Sequence, residues 1–191
     1  LTGAALGIFR LLFNFYILSL GMDAKVAGQL TSTNSMTALI LAVPMGYLAD
    51  LIGRKNAFSI GGVAVSLSIA GMVLWPGLGM LFAMSILSGA AQSLSAVAMS
   101  PFLLENSGAE ERTYLFSLAS GAQMTASFVG NSIGGSLPSW IAKQQGVLET
   151  SSTAYAGALV IVAGVAVLGL GPYFFMKMPQ LKRSERALFA P

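Results

Sequence analysis

Apolar residues run along this chain in six long stretches, broken by short polar ones. The stretches are roughly Leu1–Leu20, Val26–Ala49, Asn56–Leu74, Leu78–Leu104, Thr113–Ile141 and Ala154–Phe175. A helix needs about 20 mostly apolar residues to cross the hydrocarbon core of a bilayer, and each stretch comes close to or exceeds that length. The segments between them read as connections. Gly21–Lys25 is a short polar turn, and Trp75-Pro76-Gly77 is a turn whose Trp suits a membrane interface. Glu105–Arg112 is a charged loop and Ala142–Thr153 a polar one. The pattern predicts an all-α, polytopic membrane protein with six transmembrane helices over residues 1–176 and a basic tail over 177–191.

Composition agrees with this pattern. Of 191 residues, 55% are hydrophobic and 9% charged, and the mean hydropathy is +0.76. A soluble domain carries about 25% charged residues. With no Cys and no His, the chain cannot build a Cys–His zinc site, hold haem through either residue, or run Ser-His or Cys-His catalysis. No enzyme, metal site or cofactor is expected. The net charge of +3 sits between apolar stretches and after the last one, so it points to membrane topology and not to nucleic acid. One side of the predicted bundle receives Arg54, Lys55, Arg112, Lys177, Lys182, Arg183 and Arg186, the other Lys25 and Lys143. The positive-inside rule then places both ends and the basic side in the cytoplasm of a cell (inner) membrane. The chain starts at Leu1, already apolar, and is expected to be a fragment or to follow a leader.

Arg10 is the only charge inside a predicted span. At 1.5 Å per residue it lies roughly 15 Å below Gly21, near the midplane. A charge at that depth costs at least a few kcal/mol unless it faces protein or water, which makes it a functional candidate. Gly3, Gly7, Arg10 and Asn14 share one helical face, with Leu6, Phe9, Leu12, Phe13 and Phe15 over much of the rest. Gln92 lies on a stripe of small and polar residues with Ser85, Ser88, Gly89, Ala96 and Ser100. Asn34 and Gln123 are further inward candidates. Each of the three fits either a cavity lining or interhelical hydrogen bonding. No acid lies mid-span, so proton coupling through an embedded carboxylate of this chain is not expected. Ser107 and Glu110 have the spacing of a capping box for the fifth span.

The most specific stretch is Gly46-Tyr47-Leu48-Ala49-Asp50-Leu51-Ile52-Gly53-Arg54-Lys55. Gly46 permits close helix approach, Gly53 a sharp turn, and Asp50 is expected near the start of the third helix, where the dipole favours an acid. Its order, G-Y-L-A-D-x-x-G-R-K, resembles the signature loop between the second and third helices of the major facilitator superfamily. Span lengths, short loops and the charged fourth-to-fifth loop resemble the N-terminal half of such a transporter over essentially the whole chain. One position departs: Leu51 stands where a basic residue usually follows the aspartate. Gly130-Asn131-Ser132-Ile133-Gly134-Gly135 resembles an element of antiporters in the superfamily, with Asn131 in place of its proline. Without the proline no kink is expected, and a small-residue packing face is the preferred reading.

The resemblance implies two inverted three-helix repeats, and G-x-L recurs at Gly46 and Gly135, on opposite predicted sides, though the internal symmetry is slight. It implies secondary active transport of a small solute by alternating access, with direction and coupling left open. It implies a gate in which Asp50, Arg54 and Glu105 form a charge network, with a missing C-terminal six-helix half as partner. Arg10 would then meet substrate or a coupling network, or pair with a carboxylate of that half. A six-helix scaffold or channel is the alternative. A channel should show a filter or a ring of charges, and neither is evident.

Overall fold

In a computed structural model, the chain is described at residues 2–105, 108, 111–169 and 171, excluding the side chains of residues 2–4, 100 and 102–105. The described residues form eight helices: α1 Thr2–Ser19, α2 Ala24–Ile40, α3 Ala42–Ile52, α4 Arg54–Leu74, α5 Leu78–Glu105, α6 Arg112–Gly134, α7 Leu137–Gln145 and α8 Ser152–Leu168. The predicted tail, the end of the predicted sixth span, Ser107 and Glu110 lie outside the described residues. By length and composition, α4 and α5 can each cross a membrane, and α2 with α3 passes as one bent span. The apolar stretches Ala5–Ser19 and Ser152–Leu168 are shorter.

Two predicted spans are each divided. The second breaks at Leu41, and α2 and α3 meet at 58°. Pro44 supplies the reason. Leu41 N–H donates to the Thr37 carbonyl and Met45 N–H to the Leu41 carbonyl, both at 2.9 Å. Pro44 has no N–H to continue the ladder to Ile40, and its ring crowds that carbonyl. The fifth predicted span ends at Gly134, and α7 begins after Gly135-Ser136, with Pro138 in its first turn.

The boundaries also correct the reading of the signature stretch. Asp50 lies in the last turn of α3, not at the start of the next helix. The loop shrinks to Gly53, whose φ of 85° lies in the left-handed region that glycine tolerates. Arg54 and Lys55 form the first turn of α4.

Packing follows from faces that are small or apolar. α4 and α5 form the most extensive pair; α8 lies between α1 and α4, and α2 lies against α5 and α1. The main core joins Phe9, Leu12, Phe13, Tyr16 and Ile17 of α1 to Leu30, Ile69, Met72, Leu81, Leu159 and Val162. Tyr16 is buried, and its hydroxyl donates to the Met72 carbonyl at 3.3 Å. A second cluster of Ala49, Ala57, Leu94 and Ala98 braces the α3–α4 turn. α6 rests mainly on α1, and its Tyr114, Met124 and Phe128 are exposed.

Candidate functional site

The crossing of α1 and α6 leaves a half-open cavity of about 320 Å³ lined by Leu6, Gly7, Arg10, Leu11, Gln123, Ser127 and Asn131. On α1, positions 6, 7, 10 and 11 fall on one side at helical spacing. On α6, Gln123, Ser127 and Asn131 are four residues apart and rise along one face. Arg10, Gln123 and Asn131 are exposed at this cavity. An ion pair joins Arg54 to Asp50 at the α3–α4 turn, and among the described residues none pairs with Arg10.

Gly7 sets how closely the two helices approach. A Cβ there would stand 2.8 Å from the Ser127 carbonyl oxygen and 2.9 Å from Asn131 Oδ1. Because the first obstacle is backbone, it cannot swing aside as a side chain could. Gly7→Ala is therefore expected to force α1 and α6 apart and destabilise the protein by about 1–3 kcal/mol, the usual cost of overpacking. Thermal unfolding of the purified variant checks this, and an unchanged midpoint would contradict the close crossing.

The other candidate residues are distributed differently. Asn14 is exposed on α1 but does not line this cavity. Asn34 and Gln92 meet each other across the α2–α5 contact. Asn34 Nδ2 donates to the Ser85 carbonyl at 3.3 Å, and Gln92 Nε2 reaches Ser88 Oγ at 3.0 Å and Asn34 Oδ1 at 3.5 Å. Of the two readings open for these residues, the contacts favour hydrogen bonding between helices. The antiporter-like stretch divides by face: Gly130 and Gly134 are buried in packing, while Asn131 joins the cavity. Asn131 keeps its expected place in packing, with Oδ1 against Gly7, and lines the cavity as well; Ser127 is an addition that the structure makes. The i, i+4, i+8 spacing of Gln123, Ser127 and Asn131 was the available signal.

At the α3–α4 turn, an Arg54 guanidinium nitrogen lies 3.7 Å from Asp50 Oδ1. The Asp50 side chain is 70% exposed, so an i, i+4 pair of this kind contributes about 0.5 kcal/mol or less. Each charge also stands at the helix end whose dipole disfavours it: an acid near the C-terminus of α3 and a base at the N-terminus of α4. Helix stability alone does not account for this pattern. Gly46 lies within α3 and is half-buried. Glu105 ends α5, and its side chain lies outside the described residues.

A comparison with curated proteins finds no match. The family model of the Major Facilitator Superfamily matches residues 1–190. With the signature stretch at the α3–α4 turn and apolar helices around it, that match identifies the chain: it belongs to the Major Facilitator Superfamily, whose members are multi-pass membrane carriers of small solutes and not enzymes.

Proposed function

We propose that this chain forms one wall of a secondary active transporter that moves a small solute by alternating access. In this reading six spans arise from α1, the bent α2–α3 pair, α4, α5, α6 with α7, and α8. They form two inverted three-helix repeats, with both ends in the cytoplasm of the cell membrane. The observation that carries the proposal is the α1–α6 cavity, which gathers one guanidinium and two amides beside exposed helical faces. Met36, Leu39, Ile40 and Val43 along the bent pair and Met124 and Phe128 on α6 are also exposed. In a membrane such residues meet lipid or another helix bundle. A second six-helix half would close the cavity. Asp50, Arg54 and Glu105, supported by Lys55 and the Gly53 turn, would latch the cytoplasmic side.

Uptake into proteoliposomes holding the full-length protein tests this reading. Influx is expected to saturate with solute concentration and to show counterflow. Influx that rises linearly and shows no counterflow would favour a channel.

A further inference from the structure

We propose that a second cavity, between α1, α7 and α8, binds the ammonium group of a small organic cation. This half-open cavity of about 280 Å³ is lined by Phe15, Ser139, Glu149, Thr150 and Tyr155, with Leu11 and Leu12 adding apolar surface. It is separate from the α1–α6 cavity, and only Leu11 lines both. The orientation proposed above puts it toward the outer end of the bundle, but binding there does not depend on that orientation. Its volume suits a small ligand.

Two kinds of group in this lining favour an organic cation. The Phe15 and Tyr155 rings stack across the α1–α8 contact, with centroids 6.1 Å apart and planes 14° from parallel. Phe15 remains 48% exposed, so its ring keeps surface for a ligand. Aromatic faces carry negative partial charge and attract organic cations, quaternary ammonium ions among them. Glu149 adds a formal charge, and the lining holds this one acid and no base. An anion would meet the carboxylate with like charge, and a neutral solute would gain only apolar contact. The Ser139 and Thr150 hydroxyls can bond a polar tail. Glu149 sits on a folded connection. Gly146 turns the chain at a φ of 66°, Val147 N–H donates to the Ala142 carbonyl at 3.1 Å, and Ser151 N–H donates to the Leu148 carbonyl at 3.0 Å. Ser151 caps α8, its Oγ accepting from Ala154 N–H at 3.3 Å, so the cap does not require the Glu149 carboxylate. The ammonium group can come from a free solute or from a lipid headgroup, and the test separates the two.

The test measures choline binding by calorimetry to the full-length protein in maltoside micelles, which carry no ammonium group. Saturable binding is expected. The neutral isostere of choline, with carbon in place of the nitrogen, should bind roughly tenfold more weakly or worse. Glu149→Gln should weaken choline roughly tenfold, the effect of losing one charged partner. Phe15→Leu and Tyr155→Leu should each weaken it roughly 3- to 10-fold, the effect of one cation–π contact. Glu149 is exposed, so its variant keeps the proposal testable if an aromatic variant does not fold. Displacement of choline by added phosphatidylcholine, and not by phosphatidylglycerol, supports the site with a lipid headgroup as occupant. Displacement by neither lipid supports it with a free organic ammonium. Equal displacement by both lipids overturns the assignment. So does equal affinity for the neutral isostere, choline binding unchanged in Glu149→Gln or in both aromatic variants, or no choline binding by the wild type. None of these outcomes alters the saturation and counterflow that test the carrier reading.

Discussion

Asp50→Asn is expected to slow transport at least tenfold while leaving protein yield, thermal stability and ligand affinity nearly unchanged. A tenfold loss corresponds to about 1.4 kcal/mol of barrier. The exposed Asp50–Arg54 pair supplies about 0.5 kcal/mol or less to the fold. Removing the acid also removes an unfavourable charge from the C-terminal end of α3, worth roughly 0.3–1 kcal/mol in the opposite direction. The two effects nearly cancel in stability. If the acid's role is to hold a closed cytoplasmic gate, its loss appears in the rate at which the carrier changes state. The measurements are initial uptake rate, unfolding midpoint and ligand affinity on the same preparation. Wild-type uptake would remove Asp50 from the gate. A fall in midpoint as large as the fall in rate would make it a structural residue.

Arg10→Ala is expected to abolish uptake of an anionic solute without lowering the stability of the unliganded protein. Two accounts of Arg10 diverge here. If it pairs with a carboxylate of a second half, truncation leaves that carboxylate buried and alone, a loss of about 3–5 kcal/mol. If it waits for a ligand, truncation removes an uncompensated charge from the span, and the unfolding midpoint stays level or rises. Ligand-induced stabilisation should then disappear, because binding to the native state alone raises stability by mass action. Unfolding scans with and without ligand, on wild type and variant, separate the two. A midpoint drop in the unliganded variant would favour the structural pair.

The sequence was legible where composition and order carry the signal. Long apolar stretches located the helices of the core, and the decapeptide around Asp50 located a turn that the structure compresses to Gly53. The breaks at Leu41 and at Gly135-Ser136 were written in Pro44 and Pro138. An apolar run reads as continuous across a proline, however, because hydropathy does not register a missing N–H. The partners of Asn34 and Gln92 were not readable, since a polar residue among apolar neighbours suits a cavity as well as a neighbouring helix. Asn131 has two settings at once, packed against Gly7 through its Oδ1 and lining the cavity, and only the first was readable. Gly130 and Gly134 mark a packing face, and Asn131, one residue on from Gly130, points about 100° away from it.

Alternating access of the α1–α6 cavity is the central claim, and residues 1–191 hold no cysteine to compete with an introduced one; any cysteine elsewhere in the full-length protein is first replaced by serine. Leu11 lines the cavity, so Leu11→Cys in the full-length protein can be labelled with a membrane-impermeant maleimide from each side in turn. Reaction is expected from both sides. Conditions that speed labelling from one side should slow it from the other, and Asp50→Asn should raise the cytoplasmic rate at the expense of the outer one. Labelling rates that rise together on both sides, or reaction from one side under every condition, would contradict the account.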